Sequence, residues 1–223
     1  MNRSIALIFI TILLGCQPEK KQDEADTPEL KSNPVQKEST KKKTILFFGN
    51  SITAGYQLDL SEAFPALIQE RLDSLELGYR TINAGLSGET TASGNSRVDW
   101  VMKNPMDIFV LELGANDGLR GISTDETRKN LKSIIEKVQK KYPKCKILLA
   151  GMMIPPNMGQ EYVNSFQKIF PDLSKEYNIP LIPFLLDGVA GNPELNLEDG
   201  IHPTPEGHKI LAENVWQILA EML

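Results

Sequence analysis

The chain has 223 residues, of which 41% are hydrophobic and 24% are charged, a composition too apolar for a wholly disordered protein. Its net charge of −5 argues against a nucleic-acid partner, because binding to phosphates requires a basic surface. Two cysteines cannot form a disulfide scaffold, and no internal apolar run reaches the roughly 18–20 residues that span a bilayer.

The first 15 residues have the pattern of a secretory signal peptide. Arg3 supplies a positive charge, and the apolar run from Ile5 to Leu14 is too short for a stable membrane span. The ending Leu13-Leu14-Gly15-Cys16 resembles the lipobox of bacterial lipoproteins, whose cysteine becomes the lipidated first residue after cleavage. We therefore expect Cys16 to anchor the protein to a membrane of the bacterial cell envelope, facing the periplasm or the outer surface. The alternative is an ordinary signal peptide with a chance cysteine.

A polar tether is expected between the anchor and the folded domain. The 27 residues from Gln17 to Lys43 include 13 charged side chains and three prolines, so they cannot bury enough apolar surface to offset the entropy of ordering. We therefore divide the chain into a signal peptide (1–15), a lipidated cysteine with a disordered tether (16–43) and one folded domain (44–223).

Strand and helix patterns alternate along residues 44–223. The predicted strands are Thr44–Phe48, Tyr79–Ala84, Ile108–Leu113, Lys146–Met152 and Pro180–Phe184, and the predicted helices are Ala63–Leu75, Ser123–Lys141, Tyr162–Tyr177 and Thr204–Met222. This alternation predicts an α/β fold with a parallel sheet of about five strands and helices on both faces. Ligands bind such sheets at the carboxyl ends of the strands, so functional residues are expected just after strands.

Local signals predict where two of the helices begin. Ser61 has the position of a cap for the helix at Ala63–Leu75, and Ser123 with Glu126 has the spacing of a capping box. In the helix that follows Ser123, the apolar stripe of Leu131, Ile134, Ile135 and Val138 predicts the buried face.

The first candidate site residue is a serine in a turn after the first predicted strand. In Phe48-Gly49-Asn50-Ser51-Ile52-Thr53-Ala54-Gly55, the turn can expose the Ser51 hydroxyl and aim backbone N–H groups at a bound oxygen. No Lys-Ser or Lys-Thr pair follows, so the segment is not a P-loop. On the turn alone, a serine that merely caps a helix is an equally good reading.

Two further loops follow predicted strands. Gly85 ends the second strand, in Asn83-Ala84-Gly85-Leu86-Ser87-Gly88-Glu89, where a glycine lets the backbone approach a ligand closely. Asn116 follows the third strand, and its side-chain amide can point a donor into the cleft. Taken singly, a plain turn and an Asx-turn explain these two segments better.

The chain has only two histidines, so few residues compete for the role of general base. His202 lies in Asp199-Gly200-Ile201-His202-Pro203-Thr204, three residues after an aspartate that can fix its tautomer. His208 lies one turn into the last predicted helix beside charged residues, where we expect a solvated side chain. We therefore predict His202 as the base, with a capping role as the alternative.

Together these segments resemble a known family. Gly49-Asn50-Ser51-Ile52, Gly85, Gly114-Ala115-Asn116-Asp117 and Asp199-x-x-His202 match, in order, the four blocks of the SGNH (GDSL-type) hydrolases across almost all of 44–223. Within that family, residues 112–121 and 179–184 resemble the branch of bacterial thioesterase I, lysophospholipase and arylesterase. The resemblance implies a three-layer α/β/α flavodoxin-like fold and serine-dependent hydrolysis of carboxylic esters or thioesters, with no cofactor and no metal.

The resemblance also implies roles for individual residues. Ser51 would be the nucleophile, His202 the base and Asp199 its orienting partner, while the backbone N–H groups of Ser51 and Gly85 and the Asn116 amide would form the oxyanion hole. Chemistry agrees with these roles, since an imidazole can take the hydroxyl proton during attack and three donors can stabilise the tetrahedral intermediate.

One position departs from the family pattern. The residue before the nucleophile, commonly aspartate in the family, is Asn50 in this chain. Asparagine keeps a side-chain acceptor and the tendency to form turns but loses the charge. We expect activity to survive this difference.

Four apolar residues in loops after strands are candidates for an acyl groove: Leu86, Leu119, Ile154 and Met158, with ordinary loop packing as the alternative. The family resemblance favours short or medium acyl esters, thioesters and lysophospholipids as substrates of a monomeric enzyme. A carbohydrate acetyl esterase of the same family and a non-catalytic envelope binding lipoprotein are the other possibilities.

Overall fold

A computed structural model describes residues 42–223, so the predicted signal peptide, Cys16 and the tether before Lys42 lie outside the described residues. One sheet organises the described part. Its strands are β1 (Lys43–Gly49), β2 (Tyr79–Gly85), β3 (Ile108–Glu112), β4 (Lys146–Ala150) and β5 (Leu181–Ile182). All neighbouring strands run parallel, in the order β2-β1-β3-β4-β5. The connections from β1 to β2 and from β2 to β3 therefore lead to opposite sides of β1, so the strand order switches between β1 and β3. Parallel sheets bind ligands at the carboxyl ends of the strands beside such a switch point.

Helices connect these strands and cover both faces of the sheet. They are α1 (Ser51–Ala54), α2 (Phe64–Ser74), α3 (Thr91–Val101), α4 (Ala115–Leu119), α5 (Thr124–Lys141), α6 (Gln160–Tyr177) and α7 (Pro205–Leu219), with 3-10 turns at Pro156–Met158 and Ala220–Met222. Helix α5 packs between α3 and α6, whereas α2 packs on α7, so two helix layers enclose the sheet. The predicted three-layer α/β/α fold is confirmed. Within residues 42–223, no helix combines the length and apolar character needed to cross a membrane.

The core lies on both sides of β1. Residues 44–49 of β1 and 108–112 of β3 are buried throughout, as parallel strands covered on both faces require. Successive side chains of a strand point to opposite faces. Phe47 packs edge-on against Phe64 of α2, while Phe48 lies under α3, so the two adjacent rings anchor the two helix layers.

Each predicted strand is present, and its ends differ from the prediction by at most two residues. The strand β1 begins at Lys43, one residue before the expected start of the domain. The apolar stripe of α5 is buried as predicted. Helix α3 is absent from the predictions because its sequence is mostly polar and contains Gly94, with only Thr91, Gly94 and Val98 buried.

Both predicted helix caps are wrong. Helix α2 begins after Ala63, not near Ser61, and the Phe64 N–H donates to the ring atom Nδ1 of His208 at 3.1 Å. Ser123 does precede α5, but its side chain makes no capping hydrogen bond, so the predicted capping box does not form. At α2 a residue from a distant helix accepts the buried N–H that a local side chain was expected to bind.

His208 is buried, which corrects the expectation of a solvated side chain. Only 1% of the residue is exposed, and its ring stacks on that of Phe64. Burial is the main cause that lowers the pKa of His208 to about 4, with a smaller electrostatic contribution from the neighbouring His202. The neutral imidazole therefore acts as a structural link between α7 and α2.

Candidate active site

The predicted site residues converge at the carboxyl edge of the sheet. Ser51 follows β1 directly, Asn116 lies in the short helix after β3, and the loop containing Asp199 and His202 precedes α7. A bridge between residues 196 and 203 and a hydrogen bond from the Leu197 N–H to the His202 carbonyl (2.7 Å) close that loop. The loop therefore holds His202 next to Ser51, although these two residues lie 151 positions apart in the sequence.

Three side chains form a hydrogen-bonded row. His202 Nε2 lies 2.9 Å from Ser51 Oγ, and His202 Nδ1 lies 2.6 Å from Asp199 Oδ2. The other carboxylate oxygen of Asp199 accepts the N–H groups of Ile201 (2.9 Å) and His202 (3.0 Å). An ionised Asp199 selects the tautomer with the proton on Nδ1, which leaves Nε2 free to accept the Ser51 hydroxyl proton.

Asp199 stays ionised in this arrangement. Desolvation raises its pKa, but hydrogen bonds from the His202 backbone and ring and from the Ile201 N–H outweigh it and lower the pKa to about 2. On its other side, the imidazole is covered by Tyr56, with 4.4 Å between the ring centroids. No local sequence signal singles out Tyr56, because its contact with His202 depends entirely on the fold.

The turn that carries Ser51 is held from below by a buried carboxylate. Glu112, at the end of β3, accepts hydrogen bonds from the Asn50 N–H (3.0 Å), Asn50 Nδ2 (2.7 Å) and Thr53 Oγ1 (2.8 Å). Burial raises the pKa of Glu112 to about 7, against the opposing effect of these hydrogen bonds. Asn50 Oδ1 in turn accepts the Ile52 N–H at 2.9 Å and caps α1.

The Asn116 amide is oriented by a backbone carbonyl. Its Nδ2 donates to the Glu89 carbonyl at 3.1 Å, which identifies the nitrogen end of the amide, since an amide oxygen would be repelled there. An amide nitrogen has two hydrogens, so the second remains available as a donor.

The expectation for Gly85 needs correction. Its N–H donates to Asn83 Oδ1 at 2.9 Å, and a Cβ at this position would collide with the backbone of α1 at Ala54. Gly85 also belongs to β2, where it pairs with Gly49. Its N–H is therefore already bound and is not presented to a substrate oxygen.

Gly88, three residues further along the same loop, has a backbone N–H that remains available as a donor. It is exposed with φ of +79°, and within residues 42–223 its N–H makes no hydrogen bond. It immediately precedes Glu89, whose carbonyl holds the Asn116 amide. The sequence predicts a strand that ends at Ala84, whereas in the structure Gly85 is still part of β2 and Gly88 lies in the turn that follows.

An apolar cavity of about 450 Å³ opens beside the row. It starts at Ile52, Ala115 and Ile201, the neighbours of Ser51, Asn116 and His202, and continues between the loops that follow β4 and β5. Its lining is mainly apolar and includes Leu119, Met152, Met153, Ile154, Phe184 and Leu186. The cavity has the size and character of a pocket for an acyl chain.

Two of the four predicted groove residues line this cavity. Leu119 and Ile154 are part of it. Leu86 is half exposed and lies outside it, and Met158 lines a separate surface depression with Tyr162. Residues 42–223 contain no cluster of three His, Cys, Asp or Glu side chains suited to a metal ion.

The chain is similar to several known proteins. Residues 47–210 match the GDSL-like lipase/acylhydrolase family. Esterase TesA of Pseudomonas aeruginosa is 37% identical over 182 residues, covering 81% of this chain and 90% of that protein. Thioesterase 1/protease 1/lysophospholipase L1 of Escherichia coli K12 is 36% identical over 171 residues, covering 76% and 80% respectively. A crystal structure of TesA has a TM-score of 0.77 to this chain at 37% identity, covering 81% of this chain and 100% of that one.

A parallel sheet with a serine, an imidazole and a carboxylate in a row at its carboxyl edge is the architecture of an SGNH-type ester hydrolase. The chain belongs to the GDSL-like lipase/acylhydrolase family. A more distant relative, the uncharacterized lipoprotein YqeF of Bacillus subtilis, is 26% identical over 213 residues and covers 77% of this chain and 87% of that protein.

Proposed function

We propose that this ester hydrolase uses Ser51 as nucleophile, His202 as general base and Asp199 as the group that orients the imidazole. The proposal rests on the hydrogen-bonded row in which His202 lies 2.9 Å from the Ser51 hydroxyl and 2.6 Å from the Asp199 carboxylate. Both distances allow direct proton transfer or tautomer selection without any movement of the backbone.

The reaction proceeds in two steps. Ser51 Oγ attacks the carbonyl carbon of the ester while its proton passes to His202 Nε2, and the ionised Asp199 stabilises the resulting imidazolium. The bond to the leaving alcohol or thiol then breaks as His202 returns the proton to that group. Water then attacks the acyl-serine while its proton passes to His202 Nε2. His202 returns that proton to Ser51 Oγ as the bond between Oγ and the acyl carbon breaks, which releases the carboxylic acid and free Ser51.

The negative charge of each tetrahedral intermediate needs donors on one side of Ser51. We assign this role to the Ser51 N–H, the free hydrogen of the Asn116 amide and the Gly88 N–H. The Gly88 N–H takes the role that the family resemblance implied for the Gly85 N–H. Loss of a single donor of this kind typically lowers kcat by about 10²–10³-fold.

The catalytic assignment is tested by hydrolysis of a 4-nitrophenyl ester. Ser51→Ala is expected to lower kcat by roughly 10⁴-fold or more, because the residual rate would come from binding and the oxyanion hole alone. The control is Ser74→Ala, at an exposed serine at the end of α2. Equal hydrolysis by the Ser51→Ala and unaltered proteins would refute the assignment.

For the substrate, we propose acyl esters or thioesters, including lysophospholipids, whose acyl chain lies in the 450 Å³ cavity. The apolar lining supports this proposal, and so do the names of the relatives, which are an esterase and a thioesterase/lysophospholipase. A site selective for acetyl groups on carbohydrates would not need such a cavity.

Two exposed leucines provide a matched test of the acyl pocket. Leu119 lines the cavity and Leu86 does not, although 38% and 50% of their surfaces are exposed. Leu119→Ser is expected to raise KM for an octanoyl ester by about tenfold and to leave an acetyl ester unaffected, whereas Leu86→Ser should change neither. Equal effects of the two variants, or equal kcat/KM for acetyl and octanoyl esters in the unaltered protein, would count against an acyl pocket here.

We further propose that Cys16 is lipidated and anchors the enzyme in the bacterial envelope. Support comes from the lipobox pattern at Leu13–Cys16 and from the Bacillus subtilis lipoprotein among the relatives. Growth with a clickable palmitate analogue should label the unaltered protein and Cys145→Ser but not Cys16→Ser. Labelling of Cys16→Ser would exclude this anchor.

A further inference from the structure

A partly buried ion pair lies behind the loop that follows β2. The guanidinium of Arg97, on α3, donates to Glu89 with both Nε (2.7 Å) and Nη2 (2.5 Å), a bidentate arrangement. The side chain of Glu89 has no exposed surface and that of Arg97 is 21% exposed. The guanidinium also lies 4.4 Å from the ring centroid of Phe48 in the core. Neither residue was singled out by the sequence.

Stability alone is a weak reason for such a pair. The free energy needed to remove two charges from water offsets much of the free energy of their attraction. Apolar side chains of similar volume in the same place are often equally stabilising. The pair lies outside the hydrogen-bonded row of Ser51, His202 and Asp199. Its other contacts indicate what it does.

Both members of the pair also make contacts at the two ends of the loop that carries Gly88. Arg97 Nη2 donates to the carbonyl of Ala84 at 2.8 Å, near the end of strand β2 before the loop begins. At the other end of the loop, the carbonyl of Glu89 accepts the Asn116 amide at 3.1 Å. Gly88 lies between these two fixed points and directly precedes Glu89. The Arg97 guanidinium therefore holds the loop at both ends.

We propose that Arg97 and Glu89 are positioning residues for the oxyanion hole. Their ion pair fixes the Glu89 carbonyl that orients the Asn116 amide, and it fixes the loop that presents the Gly88 N–H. Donors stabilise a transition state only when they are held in place before the charge develops. This inference rests on the proposed serine mechanism and extends it to two residues that do not touch the substrate.

The test compares variants of the full chain in steady-state hydrolysis of a 4-nitrophenyl ester. Arg97→Met keeps an unbranched side chain over Phe48 but removes the guanidinium that binds Glu89. We expect this variant to lower kcat by about 10–100-fold and to change KM by less than about threefold. Arg97→Lys and Glu89→Gln each keep part of the contact and should fall between this variant and the unaltered enzyme. The control is Arg128→Met, which breaks an exposed ion pair with Glu176 on the far helices and should leave kcat unchanged.

Two further readouts separate positioning from loss of structure. The pH profile of kcat/KM should keep its shape in all Arg97 and Glu89 variants, because the contacts of His202 with Ser51 and Asp199 are untouched. Ethylguanidinium, added below denaturing concentrations, should raise kcat of Arg97→Ala several-fold by occupying the vacated site, and it should not stimulate the unaltered protein.

The inference fails if folded Arg97→Met and Glu89→Gln retain full kcat while their thermal stability falls, because the pair would then only stabilise the core. It also fails if KM rises as much as kcat falls and ethylguanidinium restores nothing. Activity in Ser51→Ala would instead refute the proposed mechanism, so the two failures are distinguishable. If Arg97→Met does not fold, the comparison of Arg97→Lys and Glu89→Gln with the control decides.

Discussion

Asn50 shows how one side chain connects the nucleophile to the core. Its oxygen caps α1 through the Ile52 N–H, and its amide nitrogen donates to Glu112 at 2.7 Å. Asn50 and Glu112 are each only 1% exposed. An amide supplies a hydrogen to the buried carboxylate where a second carboxylate would repel it. The asparagine in place of the family's usual aspartate therefore suits its neighbour.

This contact predicts the effect of restoring the aspartate. Asn50→Asp places two buried carboxylates in contact, and one of them must then hold a proton. The free energy of unfolding should fall by about 1–3 kcal/mol at pH 8 and by less at pH 5. Urea denaturation at the two pH values measures this difference. Equal stability of both proteins at pH 8 would show that the pair tolerates the charge.

The same variant tests the expectation about activity. Asn50 Oδ1 lies 3.5 Å from Ser51 Oγ, whereas His202 Nε2 lies 2.9 Å from it. Because the hydroxyl keeps the shorter contact with the base, we expect the unaltered protein to hydrolyse a 4-nitrophenyl ester. An inert natural protein whose Asn50→Asp variant is active would overturn that expectation.

At the level of secondary-structure elements, α3 determines where the loop between β2 and α3 lies. Its first residue, Thr91, donates to the buried Asp117 through its N–H (2.8 Å) and hydroxyl (2.5 Å), which joins α3 to α4. Gly94 faces the sheet, and an added Cβ would collide with Leu113 and touch Phe48. The absence of a side chain at Gly94 therefore lets α3 approach the sheet closely enough for Arg97 to reach Glu89.

This packing predicts opposite results for two alanine substitutions on α3. Gly94→Ala should lower the free energy of unfolding by about 1–3 kcal/mol despite the better helix propensity of alanine, because the helix must move away from the sheet. Its kcat should fall as well, since Arg97 moves with the helix. Ser96→Ala on the exposed side should leave both quantities nearly unchanged. Unaltered stability in Gly94→Ala, measured by denaturation, would contradict the close approach.

For the whole molecule, two buried groups make stability depend on pH in opposite directions. The pKa of His208 is lowered from 6.5 to about 4, so the unfolded chain binds more protons between these values and stability rises with pH there. The pKa of Glu112 is raised from 4.5 to about 7, so the native protein binds more protons and stability falls as the pH rises through that range. The two effects offset each other over most of the same interval.

Replacing His208 with a residue that does not titrate should reveal the pH dependence of stability that Glu112 causes. His208→Asn keeps an acceptor for the Phe64 N–H but does not titrate. On going from pH 7 to pH 4.5, the unaltered protein should lose about 2–3 kcal/mol more than the variant does. Chemical denaturation at the two pH values measures this. Parallel pH dependence of the two proteins would mean that His208 does not remain neutral when buried.

Sequence by itself determined the fold and the edge of the sheet at which the candidate site lies. Continuous apolar runs such as Ile45–Phe48 and Ile108–Leu111 report burial on both faces, which only a parallel sheet between helices provides. Because the carboxyl ends of such strands share one edge, the polar residues after them are brought together. Ser51, Asn116 and His202 are candidates for this reason, and the resemblance of their segments, taken together, to the SGNH family assigns roles to them and to Asp199.

Tertiary structure alone decided which distant groups meet. The cap of α2 comes from His208, 144 residues away from Phe64, and not from the nearby Ser61. Arg97 and Glu89 form their pair only because α3 packs closely on the sheet. Hydrophobic periodicity specifies which face of an element is buried, but hydrogen-bond partners depend on positions in space that a one-dimensional pattern does not contain. Such periodicity predicts the buried strands β1 and β3, but it does not show that Asn83 occupies the Gly85 N–H.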